Sequence, residues 1–195
     1  MADQPTINIL GDLVALGPLD RNLLPTYQRW MNQFDMLRML GMPPQPMTLE
    51  AETAWFESAT VSNTETTFTI YARNNWQPIG TLDLRAIDYR NRSAEFGITI
   101  GEAEYRGKGY GTEATRLTLD YAFTALGLHN VMLAVFAYNP GAIRTYEKAG
   151  FREIGRRREA IWLAGRLWDI IYMDCLATDF ESPVLSKVFA PDEPR

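Results

Sequence analysis

The segment Arg106-Gly107-Lys108-Gly109-Tyr110-Gly111-Thr112 constrains this chain more than any other. It has a glycine at every second position from 107 to 111 and lies between an alternating apolar stretch, Ala94, Phe96, Ile98 and Ile100, and a helical one, Thr112 to Leu126. Glycine lets the backbone curl tightly with its N–H groups pointing inward, and the helix that follows adds the positive end of its dipole, so a diphosphate would sit here. Gly127 stops the helix, and Val131-Met132-Leu133-Ala134-Val135-Phe136 is a continuous apolar run, as expected of a strand covered on both faces. The spacing predicts a β-α-β unit with strands 94–100 and 131–136 parallel.

The rest of the chain reads as one continuous unit around that core. Ile7 to Leu16 predicts an opening strand with a bend or small hairpin at Gly11-Asp12. Asp20 caps a helical stretch carrying Tyr27, Trp30, Met31, Phe34 and Leu37, and Thr48 caps another with Glu50 and Glu52 in its first turn. Two further strands, around Phe68 to Ala72 and Ile79 to Leu84, precede the 94–100 strand, with turns at 74–78 and 88–92 making the three antiparallel neighbours. Asn139-Pro140 begins a short helix that Gly150 ends, and two more strands flank Ala164-Gly165-Arg166. A single domain over 1–178 with a peripheral tail over 179–195 is the expected organisation.

Composition narrows the class. At 195 residues the chain can bury a core without staples, and Lys plus Arg at 19 against Asp plus Glu at 24 gives a net charge of −5. That balance argues against general affinity for nucleic-acid phosphates. One cysteine, Cys175, and one histidine, His129, exclude a disulfide framework and a zinc cluster. Met1 to Pro5 has no basic-then-apolar pattern and no run is long enough to span a membrane, so a cytoplasmic protein without membrane association is expected.

The glycine loop is neither a Walker loop, since Gly109 follows Lys108, nor a dinucleotide fingerprint, since Thr112 stands where a third glycine is required. Its spacing fits Arg/Gln-x-x-Gly-x-Gly/Ala, with Arg106, Gly109 and Gly111 at the defining positions, and so resembles the pyrophosphate loop of the Gcn5-related N-acetyltransferases (GNAT). Ala94-Glu95-Phe96-Gly97-Ile98, the stretch from Asn139 to Phe151, and Gly165-Arg166-Leu167-Trp168-Asp169 with Met173 are similar to that family's fourth strand, last helix and final hairpin. The hairpin resembles the branch containing ribosomal-protein-alanine and spermidine acetyltransferases. The match covers 94–173; residues 7–93 agree in layout.

The resemblance implies an α+β fold with a mixed, mainly antiparallel central sheet, a splayed parallel strand pair and flanking helices. It implies acetyl-CoA as donor, no metal, and as acceptor a primary amine on a small molecule or a protein N-terminus; it is compatible with a homodimer. The main chain of Arg106, Gly107, Lys108, Gly109, Tyr110, Gly111 and Thr112 would take the pyrophosphate, with Arg106 and Lys108 as charged ligands. The edge of Ile98, Thr99 and Ile100, splayed from Val131 to Phe136, would pair with the pantetheine arm and offer an N–H to the tetrahedral intermediate. Asn139 caps its helix and is a candidate pantetheine contact. Tyr146, two turns further along the same face, would protonate the CoA thiolate; Glu95 is the candidate base, directly or through water, and faces opposite to Phe96, with the face that lines the cleft left open.

Other residues have structural readings. Tyr146 also suits a core aromatic, Glu95 a surface carboxylate, Cys175 a buried inert thiol, and His129 a cation near a helix end. Arg156 to Arg158 reads as a solvated edge. Met31, Met36, Met39, Met42 and Met47 read as helical core packing or as an adaptable acceptor wall. A non-catalytic acyl-CoA-binding module is the competing class, and Tyr146 tells against it.

Overall fold

In the computed structural model, residues 4–192 are described; Met1 to Asp3 and the carboxy-terminal 193–195, with Pro194, lie outside the described residues. One sheet takes the order β1-β2-β3-β4-β5-β6-β8-β7. Its strands are β1 (Ile9–Leu10), β2 (Val14–Pro18), β3 (Thr66–Ala72), β4 (Gln77–Asp88), β5 (Ser93–Ile100), β6 (Asn130–Phe136), β7 (Arg152–Leu163) and β8 (Arg166–Leu176). All neighbours are antiparallel except β5 and β6, the parallel pair that the glycine loop and its helix connect.

Local chemistry accounts for the helices. In α3 (Leu49–Thr60) the Thr48 hydroxyl accepts from the Ala51 N–H at 3.2 Å, and Glu50 and Glu52 occupy the first turn. In α5 (Pro140–Ala149) the Asn139 side chain accepts from the Ala142 N–H at 3.1 Å, Pro140 opens the helix, and Gly150 ends it at φ +119°. The glycine-loop helix α4 (Tyr110–Asp120) starts two residues earlier than expected and continues through a π-helical turn, Tyr121–Ala125, to Gly127 at φ +66°. The apolar period from Tyr27 to Leu37 spans two short helices, α1 (Leu24–Trp30) and α2 (Phe34–Leu40), because the chain breaks at Met31 to Gln33.

Two hydrophobic clusters lie on opposite faces of the sheet. On one, Leu82, Leu84, Phe96, Val131 and Leu133 meet Ala114, Leu117 and Tyr146 of α4 and α5. On the other, Leu24, Tyr27, Trp30, Met36 and Phe56 join α1, α2 and α3, and the Tyr27 hydroxyl shares a hydrogen with Thr69 of β3 at 2.6 Å. Met36 is therefore core, while Met42 is exposed.

Within the expected peripheral tail, residues 182–185 are anchored to the core. Asp120, fully buried in α4, accepts from the Ser182 hydroxyl and from the main-chain N–H groups of Val184 (2.9 Å) and Leu185 (2.8 Å), where α6 (Leu185–Val188) begins. Leu185 joins the main core. A buried carboxylate needs such donors, and among the described residues this segment supplies the main-chain ones.

Candidate active site

The glycine loop has the form of an anion cradle. Gly107 and Gly109 take φ +72° and +94°, conformations that side chains strain to adopt, and Gly109 is the residue from which α4 starts. Among the described residues the N–H groups of Gly107, Lys108, Gly109, Tyr110, Gly111 and Thr112 have no hydrogen-bond acceptor; the next, Glu113, closes the first helical bond to Gly109 at 3.0 Å. Lys108 is exposed and in no ion pair among the described residues. The Glu113 carboxylate fixes the helix end by accepting from the N–H groups of Asp12, Leu13 and Val14 at 2.7 to 2.8 Å.

Arg106, expected as a phosphate-side ligand, has its guanidinium engaged within the protein. Its guanidinium donates to the carbonyls of Ile100 (2.8 Å) and Gly101 (3.1 Å) and pairs with Asp35 at 3.0 Å, and its N–H bonds to the Ala103 carbonyl. The planar guanidinium fork is occupied in tying the end of β5 to α2. Arg106 thus positions the loop, and the uncommitted donors begin at Gly107. Tyr110 contributes its N–H, because its ring packs edge-on against Tyr105 at 5.0 Å.

Beside the loop the parallel strands separate. They pair only as Ser93 with Asn130, Ala94 with Val131 and Glu95 with Met132. Beyond that, β5 continues on β4 and β6 on β8, so the edge from Phe96 to Ile100 has no partner toward β6. The edge of Ile98 to Ile100 is thus splayed from β6, as expected, and on β6 the separation begins at Leu133. Ile98, Thr99 and Ile100 lie along its free edge, half-buried.

The faces of β5 separate the two candidate proton carriers. Phe96 points to the α5 face, where Tyr146 packs edge-on against it at 6.2 Å and against Phe151 at 5.9 Å. Burial pushes the phenol up to about 12, and the nearby charge of Asp83 adds to the rise. No protein group hydrogen-bonds the hydroxyl among the described residues, nor is it an orphaned buried atom, so it reaches solvent. Glu95 points to the α1–α3 face and is half-exposed, with Arg85 of β4 at 3.6 Å. Alternation along β5 sets Glu95 opposite to Phe96, and hence on the face away from Tyr146.

That face carries a carboxylate overlooked in the sequence. Asp83 of β4 stands across from Gly97 of β5, between Glu95 and Thr99 in register, and pairs with Arg85 at 3.2 Å. Burial pushes its carboxyl up to about 6, against the Arg85 charge that lowers it. Its signal was available: Leu82-Asp83-Leu84 places a carboxylate between two buried leucines on the strand that pairs with the cleft edge.

Asn139 caps α5 with its side-chain oxygen, leaving its amide N–H groups for other partners. Cys175 is buried, and burial pushes its thiol up to about 11, as suits an inert core group. Arg156 is held by Glu153 in a two-bond pair. No three His, Cys, Asp or Glu side chains converge as a metal site, and no helix is long and apolar enough to cross a membrane, among the described residues.

The family described as acetyltransferase (GNAT) domain matches residues 14–152. The spermidine N(1)-acetyltransferase of Escherichia coli K12 is 30% identical over 82% of this chain and 84% of its own. The Vibrio cholerae enzyme of the same name is 40% identical over 52% of this chain and 58% of its own. The human alpha/beta-tubulin-N-acetyltransferase 9 is 30% identical over 75% of each chain. Among solved structures, the Vibrio cholerae spermidine N-acetyltransferase in complex with CoA and spermine superposes with a TM-score of 0.79 at 30% identity, covering 87% of this chain and 98% of that one.

Proposed function

From the premise that this chain belongs to the GNAT acetyltransferase family and is an N-acetyltransferase, we propose that it acetylates a small polycationic amine by direct attack on acetyl-CoA. The single observation that carries the site assignment is the set of uncommitted N–H groups from Gly107 to Thr112 beside the splayed edge of Phe96 to Ile100. The loop fits a pyrophosphate, with Lys108 as its charged partner, and the free edge fits the amide-rich pantetheine arm. Asn139, whose side-chain oxygen caps α5, would contact the same arm with its amide N–H groups.

In this reading the thioester sits in the splay, and the two faces of the sheet divide the labour. The acceptor arrives from the α1–α3 face, where Asp83 and Glu95 attract a cation and one of them takes the ammonium proton. The amine nitrogen then forms the new C–N bond, and a main-chain N–H of residues 98–100 holds the oxyanion. As the C–S bond breaks, its electron pair stays on sulfur, Tyr146 protonates that sulfur, and the surplus proton on the amide nitrogen restores the phenol. With a pKa of about 12, Tyr146 carries its proton at every physiological pH; donation to a thiolate is uphill, so this return must accompany it.

Polyamines head the acceptor classes because two relatives bear spermidine in their names and one was solved with spermine. A protein N-terminus is the second reading, favoured by the similarity to a tubulin acetyltransferase over three quarters of the chain. Self-association belongs to the proposal, since a Vibrio cholerae relative with a TM-score of 0.71 is described as dodecameric. Calorimetry with acetyl-CoA, followed by thiol-release assays on spermidine, spermine and a peptide with a free α-amino group, tests the reading. Binding and turnover on a polyamine are expected. Binding with turnover on the peptide alone would move the acceptor to protein N-termini, and no binding would overturn the proposal.

A further inference from the structure

Two carboxylates face the acceptor side of the splay, and their surroundings differ. Glu95 is half-exposed and rests on the outer side of the Arg85 guanidinium. Asp83 is only 24% exposed and sits over Gly97, at the start of the unpaired edge of β5. A Cβ at position 97 would fall 2.9 Å from one Asp83 carboxylate oxygen and 3.1 Å from the other, so the absence of a side chain there is what lets Asp83 lean over β5 toward the splay. Asp83 is also the carboxylate whose charge reaches Tyr146 from the far face. The gap between the two, where β5 has left β6, is the place for the reacting carbon.

We propose that Asp83, rather than Glu95, removes the proton from the acceptor ammonium, directly or through one water, with Arg85 holding its carboxylate in place. The assignment deepens the N-acetyltransferase reading and rests on it. The groups that set the charge state of Asp83 are Arg85 on its own strand, Glu95 on β5 and Glu65 ahead of β3, with Tyr146 the titratable group facing it across the splay. In the step itself the ammonium N–H bond breaks, its electron pair becomes the nucleophile, and Asp83 carries the proton to solvent. A base titrating near neutrality takes a proton from an ammonium and still releases it each turnover. Glu95 is left to attract the cation, a contribution to binding.

The test compares the pH dependence of kcat/KM for wild type, D83N and E95Q with acetyl-CoA and spermidine, alongside acetyl-CoA calorimetry. Wild type is expected to lose activity below about pH 6. D83N should bind acetyl-CoA within twofold of wild type, lose about 10²- to 10⁴-fold in kcat, and lack that acidic limb. E95Q should keep the limb and raise the spermidine KM. G97A provides a second route, since its new methyl group displaces the Asp83 carboxylate without removing its charge; a folded G97A with kcat at least tenfold down supports the assignment. A limb that survives in D83N, or one that disappears only in E95Q, overturns it and returns the role to Glu95. Failure of the folded wild type to bind acetyl-CoA overturns the acetyltransferase reading, and this assignment with it.

Discussion

The carboxylate of Asp83 and the phenol of Tyr146 belong to opposite faces of one sheet, yet the charge of the first helps to hold the second in its protonated form. The strand between them, β5, has no β6 neighbour beyond Glu95. An opened strand pair thus does two things: it leaves main-chain groups for a cofactor arm, and it lets groups from both faces reach the same point.

Replacing Tyr146 by Phe removes the proposed proton donor and keeps the ring contacts with Phe96 and Phe151. Turnover should fall about 10²-fold or more while the acetyl-CoA Kd stays within twofold. Because the wild-type phenol titrates at about 12, its ionisation should add no basic limb to the rate below pH 10. Steady-state kinetics beside calorimetry checks both statements, and unchanged turnover in Y146F removes the residue from the mechanism.

Gly109 is held at φ +94° where α4 begins. A valine there is strained by about 1–2 kcal/mol and turns neighbouring N–H groups away from a bound anion. G109V should remain folded and weaken acetyl-CoA at least tenfold. G111A is the contrasting case, since a Cβ at 111 meets its nearest neighbours at an ordinary 3.7 and 3.8 Å. Its affinity should change little, and calorimetry separates the two.

Asp120→Ala leaves the N–H groups of Val184 and Leu185 and the Ser182 and Thr124 hydroxyls without their acceptor. A loss of about 2–4 kcal/mol is expected, read as a drop in Tm, together with faster proteolytic cutting after 179. A variant as stable as wild type would show that the tail is not anchored through this carboxylate.

Glu52 is 3% exposed in the first turn of α3, and burial lifts its carboxyl from 4.5 to about 7. A raised carboxyl binds its proton more tightly in the folded state. Its contribution to stability is therefore fully present below about pH 4.5 and is lost as pH rises through about 7. E52Q should raise Tm by a few degrees at pH 8 and leave it nearly unchanged at pH 4.5. Equal Tm differences at both pH values would show that Glu52 ionises in the fold without penalty.

Much of this was legible in the chain because the signals are local. Asn139, Pro140 and Gly150 bound α5 by capping chemistry alone, and alternation around Phe96 marks β5 whatever surrounds it. The break between α1 and α2 escaped the reading because the apolar period from Tyr27 to Leu37 carries across it. Asp120 and Ser182 are 62 residues apart, and no local pattern announces their contact.

Sequence by itself determined the anion loop, the order of strands and helices, and the family, since glycine spacing and apolar period are properties of neighbouring residues. Only the tertiary structure decided which side chains work together. The Arg106 guanidinium is held by Ile100, Gly101 and Asp35, partners that no local pattern announces. Asp83 leans over β5 because Gly97, on the adjacent strand, leaves it room. Hydrogen bonds and charges act through space, over a few ångströms, and the chain brings those partners together only when it folds.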